Sequence, residues 1–288
     1  MSIKGHRLHA FIRTGVSLLA AAGIIMAAGC GSSEASGTVV KVALTTSTDE
    51  PLWALVNENL KKSGENITVK TVAMKSAVLG NQALAAGDVD LNAQQHYAFL
   101  NSEIREKGYK FTVLADSYIS PFNIYSDKIT KVSQLKKGDK FLVPNDVTNY
   151  GRALIVMQEA GIIKLDPKDN DPANGVYPDE KSITSNPKNI QIVPTDRNMI
   201  MSSLTDAAAG IANSNAVVDY GKSVEKDAIF SIDPNPKLKI NKPWINVIVA
   251  RTADKNNAVY KKVIKAYRQS NVRTYMKKES KGAEIPTW

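Results

Sequence analysis

The chain has 288 residues, of which 43% are hydrophobic and 23% are charged, and its formal net charge is +9. This length is enough for one large domain or two ordinary domains, each with a buried core. The lysines are scattered, and no basic run alternates with aromatic residues, which argues against a nucleic-acid partner. The chain contains a single cysteine, which excludes an internal disulfide.

Residues 1–29 have the pattern of a secretory signal peptide. A positive start is formed by three basic residues: Lys4, Arg7 and Arg13. Residues 14–28 are almost entirely small or apolar, but this run is shorter than the ~20 residues that a membrane-spanning helix needs. Removal of the signal lowers the formal charge to +6, a value that is unremarkable for a protein held beside an anionic membrane.

The cysteine lies at the end of this segment, in Ala28-Gly29-Cys30. The tripeptide resembles the bacterial lipobox, in which a peptidase cuts before a cysteine that carries lipid, although Ala27 stands where leucine is usual. We therefore predict a lipidated Cys30 with a flexible Ser/Gly-rich tether over 30–38, which places the protein on the extracytoplasmic face of the cell membrane. The alternative is a secretory signal that happens to end at a cysteine.

From residue 39 onward, strand-like and helix-like segments alternate. The pattern predicts strands at 39–46, 66–74 and 110–116, and helices within 48–64, 77–90 and 94–108. This rhythm predicts an α/β fold with a largely parallel sheet.

The alternation starts again after Ser120-Pro121 and is interrupted by a proline-rich stretch at 233–243. A strand is predicted at 244–252, followed by one long amphipathic helix over 257–278. We predict two lobes joined by two crossings: lobe one from 39–118 plus 245–288, and lobe two from 119–244. Small ligands bind in clefts between such lobes.

A polar loop follows a predicted strand in "VPNDVTNYGRAL", residues 143–154, and leads into a helix. Arg152 is predicted in or near the first turn, where a cation opposes the helix dipole. Its guanidinium suits a carboxylate, which the helix N-terminus would also favour. A salt bridge from Arg152 to Asp146 or another acid is an equally good interpretation.

His96 is the one histidine outside the signal segment. A capping or hydrogen-bonded structural role is its plain interpretation, because a metal site needs several His or carboxylate ligands. The sequence has no G-x-S-x-G elbow, no P-loop and no G-x-G-x-x-G. It therefore predicts neither an enzyme nor a bound metal or cofactor.

Two asparagines stand at positions where a polar amide needs a partner. Asn213 follows a buried-looking strand, and Asn246 lies inside the apolar stretch 242–249. An amide buried among apolar side chains costs free energy unless it is paired. Each amide could pair with backbone or reach a ligand.

Six motifs together carry a resemblance to a known family: "NAQQHYAFL", "EKGYK", "VPNDVTNYGRAL", "EAGIIKL", "NPKNIQIV" and "WINVIVAR". In this order and spacing the chain resembles the NlpA-type methionine-binding lipoproteins of ABC importers, over about 40–288. The resemblance implies a two-lobe, type II-like periplasmic-binding-protein fold. It also implies that the protein binds a free amino acid and delivers it to a membrane permease driven by an ATPase, and we expect the protein to act as a monomer. A sensor or surface lipoprotein without transport is the alternative.

The resemblance also implies roles for individual residues. Arg152 matches the carboxylate clamp, Asn213 and Asn246 match contacts to the amino acid head group, and His96 matches a wall of lobe one. The chain departs from the family around the ligand side chain. Ala77 and Phe99 align with tyrosines, and Gln94 aligns with a phenylalanine.

The predicted ligand is therefore methionine or a related amino acid or short peptide, and these departures are an argument for one other than methionine. Arg197 could supply a second charge in an enlarged pocket, or it could be a solvated loop residue.

Overall fold

Two mixed β-sheets with helices packed against them organise residues 37–288, the part of the chain that this computed structural model describes. The strands are β1 (Thr38–Leu44), β2 (Ile67–Ala73), β3 (Leu91–His96), β4 (Phe111–Ile119), β5 (Phe122–Tyr125), β6 (Lys140–Pro144), β7 (Lys164–Leu165), β8 (Ile183–Ser185), β9 (Gln191–Thr195), β10 (Ala209–Asn213), β11 (Ala228–Phe230), β12 (Ile245–Arg251) and β13 (Ile285–Pro286). The helices are α1 (Glu50–Lys62), α2 (Ala77–Ala86), α3 (Tyr97–Lys107), α4 (Val147–Glu159), α5 (Ser214–Asp219), α6 (Ala258–Tyr267) and α7 (Ser270–Glu279).

The larger sheet has the strand order β13-β4-β12-β3-β1-β2. Strands β2, β1 and β3 run parallel, whereas β12 is antiparallel to both β3 and β4. The prediction of a largely parallel sheet is therefore wrong. The sheet is mixed because β12, after the chain has built the other sheet, is inserted between β3 and β4 in the opposite direction.

The smaller sheet has the order β11-β5-β10-β6-β9, and a separate two-stranded sheet pairs β7 with β8. Strands β10, β6 and β9 are parallel, and β5 is antiparallel to β10. The chain enters this sheet directly after β4 and returns to the larger sheet through the 3₁₀ helix Lys239–Trp244.

Local signals account for the first helix. Pro51 lies in the first turn of α1, where its missing N–H costs nothing, and Gly64 adopts a φ of 72° just beyond the helix end. Leu52, Val56 and Leu60 are buried in the core of the larger sheet, as their helical spacing predicts.

The segment 94–96 is strand, although the sequence predicts helix from 94. All six residues of β3 are buried, because β3 lies between β1 and β12 in the centre of the sheet. Helix α3 begins only at Tyr97, and the ring of His96 caps it by accepting a hydrogen bond from the Phe99 N–H (3.1 Å). This cap fixes the point at which the strand becomes a helix.

The predicted helix over 257–278 is two helices, α6 and α7, separated at Arg268 and Gln269. The side-chain amide of Asn59 in α1 donates to the carbonyl of Ala266 (3.0 Å) and to Asn271 Oδ1 (3.0 Å). These bonds satisfy backbone and side-chain groups at the break, which is why the interruption is stable inside the core.

Two other predictions fall on residues that the structure does not describe. The signal peptide of 1–29 and the lipidation of Cys30 both lie outside 37–288. Within that range, no helix combines the length and the hydrophobicity needed to cross a bilayer.

Candidate functional site

A cavity of about 470 Å³ lies where elements of both main sheets meet. All seven residues that the sequence nominates line it: Ala77, Gln94, His96, Phe99, Arg152, Asn213 and Asn246. Arg197 lines it as well, so this residue is not simply a solvated loop side chain. In the described part of the chain, no three His, Cys, Asp or Glu side chains are placed to hold a metal ion.

Arg152 lies in the second turn of α4, next to the first turn, and is only 4% exposed. Its Nη2 donates to the Ser120 carbonyl (3.0 Å), and its Nε is buried without a hydrogen-bond partner in the part of the chain that the structure describes. The guanidinium carbon lies 4.6 Å from the centre of the Phe122 ring and 5.0 Å from that of Trp244. These two aromatic faces hold the cation in position.

No acidic side chain within residues 37–288 forms an ion pair with Arg152. The alternative of a salt bridge to Asp146 is therefore wrong. That carboxylate instead caps α4, accepting hydrogen bonds from the backbone N–H of Asn149 (3.0 Å) and from Thr148 Oγ1 (3.0 Å). Burial lowers the pKa of Arg152 to about 9, so the group is still a cation near neutral pH, and it has no counter-anion among residues 37–288.

His96 is held between the two sheets. Its Nδ1 accepts from the Phe99 N–H, which leaves Nε2 as the N–H that donates to Asn149 Oδ1 (3.2 Å). The Asn149 amide in turn donates to Asp146 (3.0 Å), and the edge of the His96 ring meets Trp244 at 5.3 Å. Burial, and then the nearby charge of Arg152, lower the pKa of His96 to about 4. The imidazole is neutral at pH 7.

The two asparagines come from different sheets. Asn213 ends β10, and its Oδ1 is buried without a hydrogen-bond partner among the described residues. Asn246 lies in β12, and its register partner in the neighbouring strand β3 is His96. Together with Arg152 they give the cavity a cation and amide groups, the set of groups that binds a carboxylate and an ammonium.

Gln94, Ala77 and Phe99 form the wall of the cavity that comes from the larger sheet. Gln94 is 8% exposed, and its Nε2 donates to the carbonyl of Ala77 (3.3 Å). A Cβ placed on Gly80 would lie 1.6 Å from that nitrogen, so the glycine makes room for the amide. The Oε1 of Gln94 is buried and has no hydrogen-bond partner within residues 37–288.

A buried carboxyl pair, Asp49 and Glu284, also lines the cavity. Burial raises the pKa of Glu284 well above its ordinary value, and so do the charge of Asp49 and the hydrogen bond between the two groups. Sequence reasoning missed this pair and the His96–Asn149 contact that joins β3 to α4. Neither pair has a sequence motif, because partners from distant segments meet only in the fold.

The fold and the site together define a two-sheet α/β protein with a polar internal cavity between its sheets. The chain belongs to the NlpA lipoprotein family, whose model matches residues 40–288. The family resemblance and the α/β fold predicted from the sequence are thereby confirmed.

Among its relatives is the D-methionine-binding lipoprotein MetQ of Salmonella typhimurium, which is 33% identical over 92% of this chain and 94% of the relative. A nutrient binding protein from Burkholderia cenocepacia bound to methionine superposes with a TM-score of 0.80, at 32% identity over 86% of this chain and 100% of that protein. The substrate binding protein of a methionine transporter from Streptococcus pneumoniae superposes with a TM-score of 0.78, at 33% identity, and covers 87% of this chain and 96% of that protein.

Proposed function

We propose that this protein captures a free α-amino acid, or a short peptide, in the cavity between its two sheets and delivers it to an ABC importer. It is a binding protein and not an enzyme. The observation that carries the proposal is the buried guanidinium of Arg152, which has no acidic partner in residues 37–288. An isolated buried charge is costly, and a ligand carboxylate would remove that cost.

The remaining groups suit an amino acid head group. Arg152 binds the carboxylate, and Asn213 Oδ1, which has no partner in the described chain, accepts from the ammonium. Asn246 contacts the same head group from the larger sheet, and neutral His96 forms the wall beside it. The names of the relatives, which include a D-methionine-binding lipoprotein and a methionine-bound nutrient binding protein, support an amino acid as the ligand.

We propose that two lobes carry out this function. Residues 39–118 and 245–288 form lobe one, and residues 119–244 form lobe two. A ligand that touches both lobes stabilises the closed arrangement by its differential affinity for that state. We further propose that the protein acts as a monomer and is held by lipid on Cys30 at the outer face of the cell membrane. Its partners there are a permease and an ATPase. The family of lipoproteins and the transporter named for the pneumococcal relative support this placement.

Isothermal titration of the full-length protein, purified in detergent and freed of co-purified ligand, tests the function. We expect at least one amino acid or dipeptide to bind. Arg152→Gln should lower that affinity by about 100-fold or more, because the ligand carboxylate would be buried without its cation.

Arg268→Gln is the matched control, since Arg268 is exposed and does not line the cavity. Its affinity should equal that of the unsubstituted protein. Equal affinity in the Arg152 variant would remove this residue from the site.

A further inference from the structure

Four side chains that line the cavity each hold a buried polar atom without a partner among residues 37–288. Two are donors, Arg152 Nε and Arg197 Nε, and two are acceptors, Asn213 Oδ1 and Gln94 Oε1. Buried polar atoms in proteins are nearly always hydrogen-bonded. The four atoms therefore describe the groups that a bound molecule has to bring.

Three of the four residues belong to one neighbourhood. Arg152 donates to Ser120 and lies against the Phe122 ring, and Phe122 is the register partner of Asn213 across β5 and β10. Arg197 approaches the same region, where its Nη2 lies 3.4 Å from Asn215 Oδ1. These atoms surround the proposed position of the amino acid head group.

Gln94 is on a different wall. It lies on β3, and its amide is fixed by helix α2, through the bond from Nε2 to the Ala77 carbonyl and the close approach of Gly80. With Nε2 tied to α2, the orientation of the amide is set and Oε1 is left without a donor. This acceptor comes from β3 and not from the elements that carry Arg152, Asn213 and Arg197.

We propose that Gln94 selects a ligand whose side chain carries an N–H group, which donates to Gln94 Oε1. The proposal rests on the proposed function, because it concerns the side chain of the same amino acid ligand. The chemical class is an amino acid with a carboxamide or amine side chain. A thioether or hydrocarbon side chain has no hydrogen to donate, and it would leave the buried acceptor unpaired.

The buried carboxyl groups of Asp49 and Glu284 favour the same class. Both line this cavity and are hydrogen-bonded to each other, so they add acceptor oxygens and negative potential to it. The cavity volume of about 470 Å³ leaves room for a side chain beyond the head group. A donor from the ligand thus enters a cavity that holds these carboxyl oxygens as well as Gln94 Oε1.

Titration calorimetry of the full-length protein in detergent, with four L-amino acids of similar length, tests the proposal: glutamine, lysine, methionine and norleucine. We expect glutamine or lysine to bind about tenfold or more tighter than methionine and norleucine, because an unpaired buried acceptor is costly. Tighter binding of glutamine would identify an amide donor, and tighter binding of lysine an amine.

Gln94→Met keeps the side-chain volume and removes the acceptor. We expect it to reverse the preference by a similar factor, while Arg268→Gln leaves the preference unchanged.

If methionine and norleucine bind the unsubstituted protein as tightly as glutamine and lysine, the inference is overturned and the proposed function stands. The same holds if Gln94→Met leaves the ratio unaltered. If folded protein binds none of the amino acids or dipeptides tested for the proposed function, that function fails, and the inference fails with it. If Gln94→Met does not fold, the relative affinities of the unsubstituted protein for the four amino acids still test the inference.

Discussion

The imidazole of His96 at the end of β3 lies 3.2 Å, nitrogen to oxygen, from the side-chain amide of Asn149 in α4. This hydrogen bond joins the larger sheet to the first turn of the helix that carries Arg152. The Nδ1 of the same ring accepts from the Phe99 N–H and caps α3, and that cap depends on His96 being neutral, because an imidazolium has no acceptor nitrogen. The position of the guanidinium is therefore tied to a group that titrates.

The first prediction concerns pH. The pKa of His96 is about 4 in the folded protein and 6.5 when unperturbed, so the unfolded chain binds its proton first as pH falls. Stability is full above pH 6.5 and is lost towards pH 4. Between pH 7.5 and 5 the loss from this group should be roughly 2 kcal/mol. Urea unfolding at the two pH values measures it.

His96→Asn is the comparison, because asparagine can still cap α3 but does not titrate. The variant should be less stable at pH 7.5 and should lose less stability on acidification than the unsubstituted protein. An equal loss in both proteins would show that His96 does not titrate as its burial implies.

The second prediction concerns the stability of the ligand-free protein. Arg152→Met should raise the free energy of unfolding by roughly 1–3 kcal/mol, because it replaces an unpaired buried cation with an apolar side chain of similar length. Chemical denaturation without ligand measures this. Arg268→Met, an exposed substitution, should change stability by less than about 0.5 kcal/mol. A destabilised Arg152→Met would mean that its aromatic contacts outweigh the desolvation of the cation.

The third prediction has the opposite pH dependence. The pKa of Glu284 is raised in the folded protein, so its contribution to stability is complete at low pH and is lost as pH rises through the folded pKa. Glu284→Gln should therefore melt higher than the unsubstituted protein at pH 8, and its advantage should shrink or disappear at pH 4.5. Thermal unfolding at both pH values gives the comparison.

Glu159→Gln serves as the control, because Glu159 is exposed at the end of α4. Its melting temperature should differ little from that of the unsubstituted protein at either pH. A constant melting difference for Glu284→Gln across this range would contradict the buried carboxyl pair.

Local patterns in the sequence were enough to predict much of the fold. Strand β1, helix α1 and helix α2 follow from apolar periodicity with Pro51, Gly64 and Gly87 at their ends. Arg152 could be singled out because a cation near a helix start is unusual. The seven residues nominated from sequence all line one cavity.

Other features depend on contacts between distant segments. Strand β3 has polar residues at buried positions, so its pattern did not predict a central strand. The structure pairs two of those residues with Asn81 of α2, which donates to Gln95 (2.9 Å) and accepts from Asn92 (2.9 Å). The break between α6 and α7 depends in the same way on Asn59, which comes from another helix. No local pattern reports such partners.

The unpaired atoms of the cavity also bear on how the protein behaves when it is empty. Closing the walls around nothing would leave Arg152 Nε and two amide oxygens without a partner among residues 37–288, which is unfavourable. Water can supply those bonds if it is admitted to the cavity. Departure of the ligand and hydration of the cleft are thus expected to be one linked event. The polar atoms that bind the ligand in the filled protein therefore favour an open, hydrated cleft after release. In that state the cleft is accessible to the next ligand.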